Sequence, residues 1–329
     1  MPLLPFNPER PDAIVVGLIN NMPDAALKIT EWQVRDLLSR AAGSRDVTLR
    51  VFSLPEVPRS VMGRDYVRQN HEDIGALRCD GVHGLIVTGT EPKAARFEDE
   101  PYWGALAELI DWADAHTAST IWSCLASHAA AYRLDGIARQ PLDRKMFGVF
   151  GCEAATAHPL VAGLGAWKTP HSRMNTVSEK DLQRAGYQVL SRSAEAGVDM
   201  FIKQRNSLFV FLQGHLEYDA MALFGEYRRD VRRFLAGESE RYPELPNGSF
   251  DAQASALLLD FRERASSARD MALLEQFPAA AVGRQLTAPW RAAATRFYAN
   301  WLAFLEASRP CPVDAPPFSA PGPAALTYA

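Results

Sequence analysis

Residues 119–134 read STIWSCLASHAAAYRL, and the chain changes character in the middle of them. STIWSC (119–124) is an apolar, β-branched run of strand length, whereas LASHAAAYRL is built of small and helix-favouring residues. Cys124 therefore falls at a strand-to-helix junction, which is where α/β folds expose reactive side chains. Upstream, AIVVGLI (13–19) is a continuous apolar strand. It leads through MPD into a stripe of Leu27, Val34, Leu37, Leu38 and Ala41 that has helical spacing and closes at Gly43. VTLRVF (47–52) alternates like a strand, GLIVTGT (84–90) is a buried strand ending in a glycine turn, and Leu106, Leu109, Ile110 and Ala113 form the next helical stripe. Strands alternating with helices predict β-α-β crossovers, hence an α/β fold with a mostly parallel sheet flanked by helices.

Downstream, GYQVL, DMFIKQ and SLFVFLQGH read as three strands. DAMALFGEYRRDVRRFLAG (219–237) reads as a helix with charged and apolar faces, and residues 252–308 are mainly helical. No repeat and no break in composition divides this span, so residues 1–308 are expected to form one α/β domain with helical additions. The proline-rich segment 309–329 is expected to be an extended or disordered tail.

Of the 329 residues, 47% are hydrophobic and 22% charged, which is enough apolar material for a sizeable core. The formal net charge of -4 supplies no basic stripe for a phosphate backbone, so no nucleic-acid partner is expected. The N-terminus lacks the layout of a signal peptide, and Ala13 to Ile19 is too short to cross a bilayer; a cytoplasmic, membrane-free protein is expected. Cysteines at 79, 124, 152 and 311 show neither CxxC spacing nor a disulfide framework, and no metal site is expected.

A free cysteine is most often a core residue, but a thiolate at the N-terminus of a helix is favoured by the helix dipole. LFVFLQGHLEYD places His215 and Glu217 just past another apolar strand, and His-x-Glu is a spacing by which an imidazole gains an orienting carboxylate. Cys124, His215 and Glu217 thus supply a nucleophile, a base and an orienter. His128, one turn beyond Cys124, is expected to be scaffold, and Cys152 an inert thiol.

VGLINNMP, GLIVTGT, EPYW, the SC of STIWSCLASHAAA, KMFGVF, TPHSR, QGHLEYD and GEYRRD occur in this order. In that order and spacing the chain resembles the homoserine O-succinyltransferases and O-acetyltransferases of methionine biosynthesis, from about residue 13 to about 305. The resemblance implies a fold like that of class I glutamine amidotransferases (flavodoxin-like), with added helices. It implies an acyl-coenzyme A co-substrate, succinyl or acetyl, no bound cofactor, small-molecule partners and a homodimer. It further implies Cys124 as the acyl-thioester residue, His215 as general base and Glu217 as the carboxylate behind it. Lys145, Ser172, Glu226 and Arg229 match substrate-binding positions. The backbone N–H groups of Leu125 and of the Gly89–Thr90 turn are the natural oxyanion donors.

One loop departs from the pattern. TGTEPKAARF stands where the family generally has Thr-Gly-Ala-Pro, and Lys93 occupies the position that sorts succinyl from acetyl donors. A lysine there could pair with a succinyl carboxylate or point outward. Three alternatives stay open at this stage: serine or another hydroxy amino acid as acceptor, an amidotransferase-like hydrolase, and a binding protein that keeps the fold without the activity.

Overall fold

In a computed structural model, which describes residues 13–308, nine strands form one sheet. They are β1 (Ile14–Ile19), β2 (Val47–Phe52), β3 (Gly84–Val87), β4 (Ser119–Ser123), β5 (Gln140–Ala154), β6 (Trp167–Thr176), β7 (Gln188–Ser193), β8 (Gly197–Gln204) and β9 (Leu208–Leu212). Their spatial order is β2-β1-β3-β4-β9-β8-β7-β5-β6. The first five neighbours run parallel, as the sequence predicts, and the sheet then extends through antiparallel pairs from β9 to β6. The helices are α1 (Leu27–Ala42), α2 (Val61–Asn70), α3 (Ile74–Asp80), α4 (Trp103–His116), α5 (Leu125–Asp135), α6 (Glu179–Arg184), α7 (Ala222–Leu235), α8 (Ala252–Ser267), α9 (Ala279–Gly283) and α10 (Arg291–Ala307). The segment 309–329, with Cys311, lies outside the described residues.

Alternation along each central strand sorts side chains onto two faces. Ile86, Ile121 and Val210 join one core, under Val34, Leu37 and Leu38 of α1 and Phe297, Trp301 and Leu305 of α10. Leu85, Val87, Trp122 and Phe211 join the opposite core, under Leu106, Leu109 and Ile110 of α4 and Ala126, Ala129 and Ala130 of α5. The small residues of LASHAAA are thus explained by packing, since Leu125 to Ala131 are all buried against the sheet. A third core gathers Phe147 and Val149 of β5 with α7, α8 and α9. It fixes α7 beside the sheet, and α7 carries GEYRRD. No described helix is long and apolar enough to cross a membrane.

Candidate functional site

Strand β4 ends at Ser123, and Cys124 makes the turn into α5 with φ 52° and ψ -116°. Among the described residues it is the one non-glycine residue with positive φ. A strained residue of this kind between strand and helix lifts its side chain clear of the sheet edge. The turn is held because Cys124 N–H donates to the carbonyl of Leu212 at 2.8 Å, at the end of the neighbouring parallel strand β9. Cys124 stays partly accessible.

From β9 the chain passes through Gln213 and Gly214 to His215. Gly214 lies so close to β6 that a Cβ there would meet Thr169 Cγ2 at 2.3 Å and the Pro170 carbonyl at 2.9 Å. His215 N–H donates to that same Pro170 carbonyl at 2.8 Å, which sets the direction of the side chain. His215 Nδ1 and Glu217 Oε1 are 2.7 Å apart, and both residues are buried. A carboxylate at Nδ1 keeps a proton there and leaves Nε2 for the nucleophile. Burial alone would lower the basicity of His215. The Glu217 carboxylate and the Cys124 sulfur outweigh it and raise the imidazole well above its usual range.

A second group of polar side chains forms beside this one. Glu226 of α7 accepts from Ser172 Oγ at 2.6 Å and lies 3.4 Å from Lys145 Nζ through Oε2, while Oε1 accepts from the Tyr218 hydroxyl at 2.6 Å. Burial would raise the Glu226 carboxyl, but Lys145, Ser172, Tyr218 and Arg229 hold it below the usual carboxylate range. Lys145 also reaches Asp230 at 3.1 Å and lies over the Phe147 ring. Arg229 contacts Asp230 at 2.9 Å and Glu226 at 3.5 Å, with its side chain 45% exposed and so available to a ligand. Lys145, Ser172, Glu226 and Arg229 come together although they arise from β5, β6 and α7. Tyr218 stacks on the His215 ring, with centroids 4.3 Å apart and planes 14° from parallel.

The turn after β3 faces the start of α5. A Cβ on Gly89 would lie 2.9 Å from Leu125 N, so only glycine leaves that N–H open from this side. A cavity next to the turn is lined by Asn21, Thr88, Thr90, Phe97, Tyr102 and Leu125, among others. Lys93 follows on the same loop with an exposed side chain. Its N–H and that of Ala94 donate to Glu100 Oε1 at 2.7 and 2.8 Å. Arg139 clamps the loop from the other side, donating to the carbonyls of Ala94 and Ala95 and stacking over Phe97.

His128 is buried with Nε2 3.0 Å from Gln213 Oε1, and burial pushes it down to about 4, as suits a neutral scaffold ring. Cys152 is buried near His171 and Asp199, and burial raises its thiol far above the usual range. The ligand atoms of these three lie close enough together to approach a metal ion, and Nδ1 of His171 is already hydrogen-bonded. Its Nδ1 accepts from Arg173 Nε at 3.2 Å, and its Nε2 faces Asp199 at the same distance. Tyr218, Asp230, Glu100 and Arg139 escaped the sequence reading. Tyr218, Asp230 and Glu100 stand inside QGHLEYD, GEYRRD and EPYW, where position in the motif was the available signal; Arg139 carries none.

The family model for homoserine O-succinyltransferase matches residues 9–310. The homoserine O-succinyltransferase of Bradyrhizobium japonicum is 46% identical over 297 residues, which cover 90% of this chain and 91% of that one. That of Methylorubrum extorquens is also 46% identical, covering 88% and 87%, and that of Rhodopseudomonas palustris is 45% identical, covering 92% of each. Among solved structures, a glutamine amidotransferase from Methylobacillus flagellatus aligns with TM-score 0.52 at 14% identity, covering 89% of this chain and 95% of that one, which speaks for the fold alone. With the family model and close relatives both spanning nearly the whole chain, this protein belongs to the homoserine O-succinyltransferase family.

Proposed function

We propose that this protein moves a succinyl group from succinyl-coenzyme A to the hydroxyl of L-homoserine through a thioester on Cys124, a step of methionine biosynthesis. The observation that carries this reading is the meeting of the Cys124–His215–Glu217 group with the cluster of Lys145, Ser172, Glu226 and Arg229. Amide hydrolysis would use the first group without needing the second.

In the first half-reaction His215 Nε2 takes the thiol proton and the Cys124 thiolate attacks the thioester carbonyl of the donor. The tetrahedral oxyanion is received by the N–H of Leu125 and one from the Gly89–Thr90 turn; removing such a donor typically costs about 3 kcal/mol. Coenzyme A leaves as its thiol with the proton from His215, and the succinyl group remains on sulfur. In the second half-reaction His215 takes the homoserine hydroxyl proton, the oxygen attacks the thioester carbon, and the Cys124 thiolate departs. Glu217 balances the imidazolium in both halves.

Arg229 supplies a planar fork for the acceptor α-carboxylate, Glu226 faces its ammonium, and Lys145 and Ser172 hold Glu226 in place. Lys93 sits on the loop that borders the donor side. The test is a matrix of succinyl- and acetyl-coenzyme A against homoserine and serine, read by turnover and by intact mass. A succinyl adduct on Cys124 discharged by homoserine is the expected result. Discharge by serine alone would reassign the acceptor, and glutamine turnover without an adduct would refute acyl transfer.

A further inference from the structure

The two polar groups of the site are joined by one side chain. Tyr218 lies face to face with the His215 ring at 4.3 Å, and its hydroxyl donates to Glu226 Oε1 at 2.6 Å. Its own backbone is anchored, because Trp290 Nε1 donates to the Tyr218 carbonyl at 2.8 Å. The residue is buried, so its ring has little freedom to leave the imidazole. Glu217 restrains His215 within the ring plane through Nδ1, but a single in-plane hydrogen bond does not stop the ring from tilting about that contact. A flat aromatic face against it does.

We propose that Tyr218 is a positioning residue that couples acceptor binding at Glu226 to the placement of the general base. It rests on the acceptor reading given above. Oε1 of Glu226 is held by Tyr218, and Oε2 by Ser172 and Lys145. An acceptor ammonium arriving at Glu226 pulls on a carboxylate whose other contact leads directly to the ring that backs His215. The acceptor thereby steadies the imidazole for the second half-reaction, in which His215 takes the acceptor's own proton. The first half-reaction involves no ammonium, and there Tyr218 contributes only its ring face.

Tyr218→Phe separates these two roles, since it keeps the ring and removes the hydroxyl, leaving a buried carboxylate oxygen without its donor. The homoserine KM is expected to rise about tenfold and discharge of the succinyl-enzyme to slow by a similar factor, while succinyl-enzyme formation from succinyl-coenzyme A stays within about twofold. Tyr218→Leu removes the face as well and is expected to slow both half-reactions. Glu226→Gln serves as the control for the acceptor reading, with thermal melts checking each fold. If Glu226→Gln raises the homoserine KM but Tyr218→Phe changes neither KM nor discharge, the coupling is refuted and the acceptor site stands. If Tyr218→Phe slows both half-reactions equally, Tyr218 is general support and the coupling is again refuted. If Glu226→Gln leaves KM unchanged, the acceptor reading fails and the coupling falls with it.

Discussion

The two halves of the sheet contribute to the site by different means. The parallel half, β1 to β4 with β9, holds Cys124, His215 and Glu217 at its strand ends and fixes them by backbone: the strained turn at Cys124, the Leu125 N–H beside Gly89, and the hydrogen bond from Cys124 N–H to Leu212. The antiparallel half and α7 contribute side chains that meet at Glu226, drawn from β5, β6 and the helix. Placement by backbone suits transition-state stabilisation, because N–H groups on packed elements need no reorganisation. Recognition by long side chains suits a substrate that must enter and leave. Substitutions in the first half should therefore damage chemistry in both half-reactions, and those in the second should damage one.

The largest effect is expected from Cys124→Ser, which should lower turnover by about a thousandfold or more and abolish the succinyl adduct without changing the melting temperature much. Near-normal turnover would end the covalent mechanism. Gly89→Ala probes the backbone half more finely. Its methyl would sit 2.9 Å from Leu125 N, so both half-reactions should slow by about a hundredfold. An effect confined to homoserine KM would show that the turn is not part of the oxyanion site. Arg229→Lys is the counterpart in the other half. A point charge cannot reproduce a planar fork, so homoserine KM should rise about tenfold while succinyl-enzyme formation proceeds normally. Loss of that first step would move Arg229 to the donor side or to structure.

How much of this was legible in the sequence divides along the same line. An apolar strand announces itself by its own residues, so β1, β3, β4 and β9 and the ends where Cys124 and His215 stand could be read directly. TPHSR gives no alternation and contains a proline, yet it lies in β6, where Pro170 accepts from His215 N–H. Its strand character comes from pairing with β5, which no single segment encodes. Lys145 by itself reads as a surface lysine, and the family resemblance alone raised it; its partners Glu226 and Asp230 lie 81 and 85 residues away. Arg139 meets the loop of Ala94 and Ala95 across 45 and 44 residues of chain. Such convergence is a property of topology rather than of local pattern.

A smaller effect concerns pH. The folded protein holds the His215 imidazolium with Glu217 and Cys124, so its affinity for a proton exceeds that of the unfolded chain, whose ordinary value is 6.5. The resulting stabilisation is complete below about pH 6.5 and is lost as pH rises through the higher value of the folded state. Glu217→Gln removes the charge that raises the imidazole. Wild type should therefore exceed Glu217→Gln in melting temperature most at about pH 6, with the gap closing as pH rises through the higher folded-state value. A gap that widened with pH would mean that the ring is neutral in the folded protein.

The smallest effect is expected at Lys93. Any contact with the succinyl carboxylate would be made by an exposed side chain, and exposed charge pairs are worth at most about 1 kcal/mol. Lys93→Glu should then shift the preference for succinyl- over acetyl-coenzyme A by only about fivefold. A stronger hold on donor choice is expected from the shape of the loop. Glu100 fixes the N–H groups of Lys93 and Ala94, while Arg139 fixes the carbonyls of Ala94 and Ala95, so the backbone from Lys93 to Ala95 is gripped from both sides. Glu100→Ala removes one grip and leaves Lys93 intact. If loop shape governs the choice, Glu100→Ala should change the donor ratio in succinyl-enzyme formation more than Lys93→Glu does. Should Lys93→Glu instead shift it by a hundredfold, the ammonium must turn inward over the acyl group, and the charge itself would be the selector.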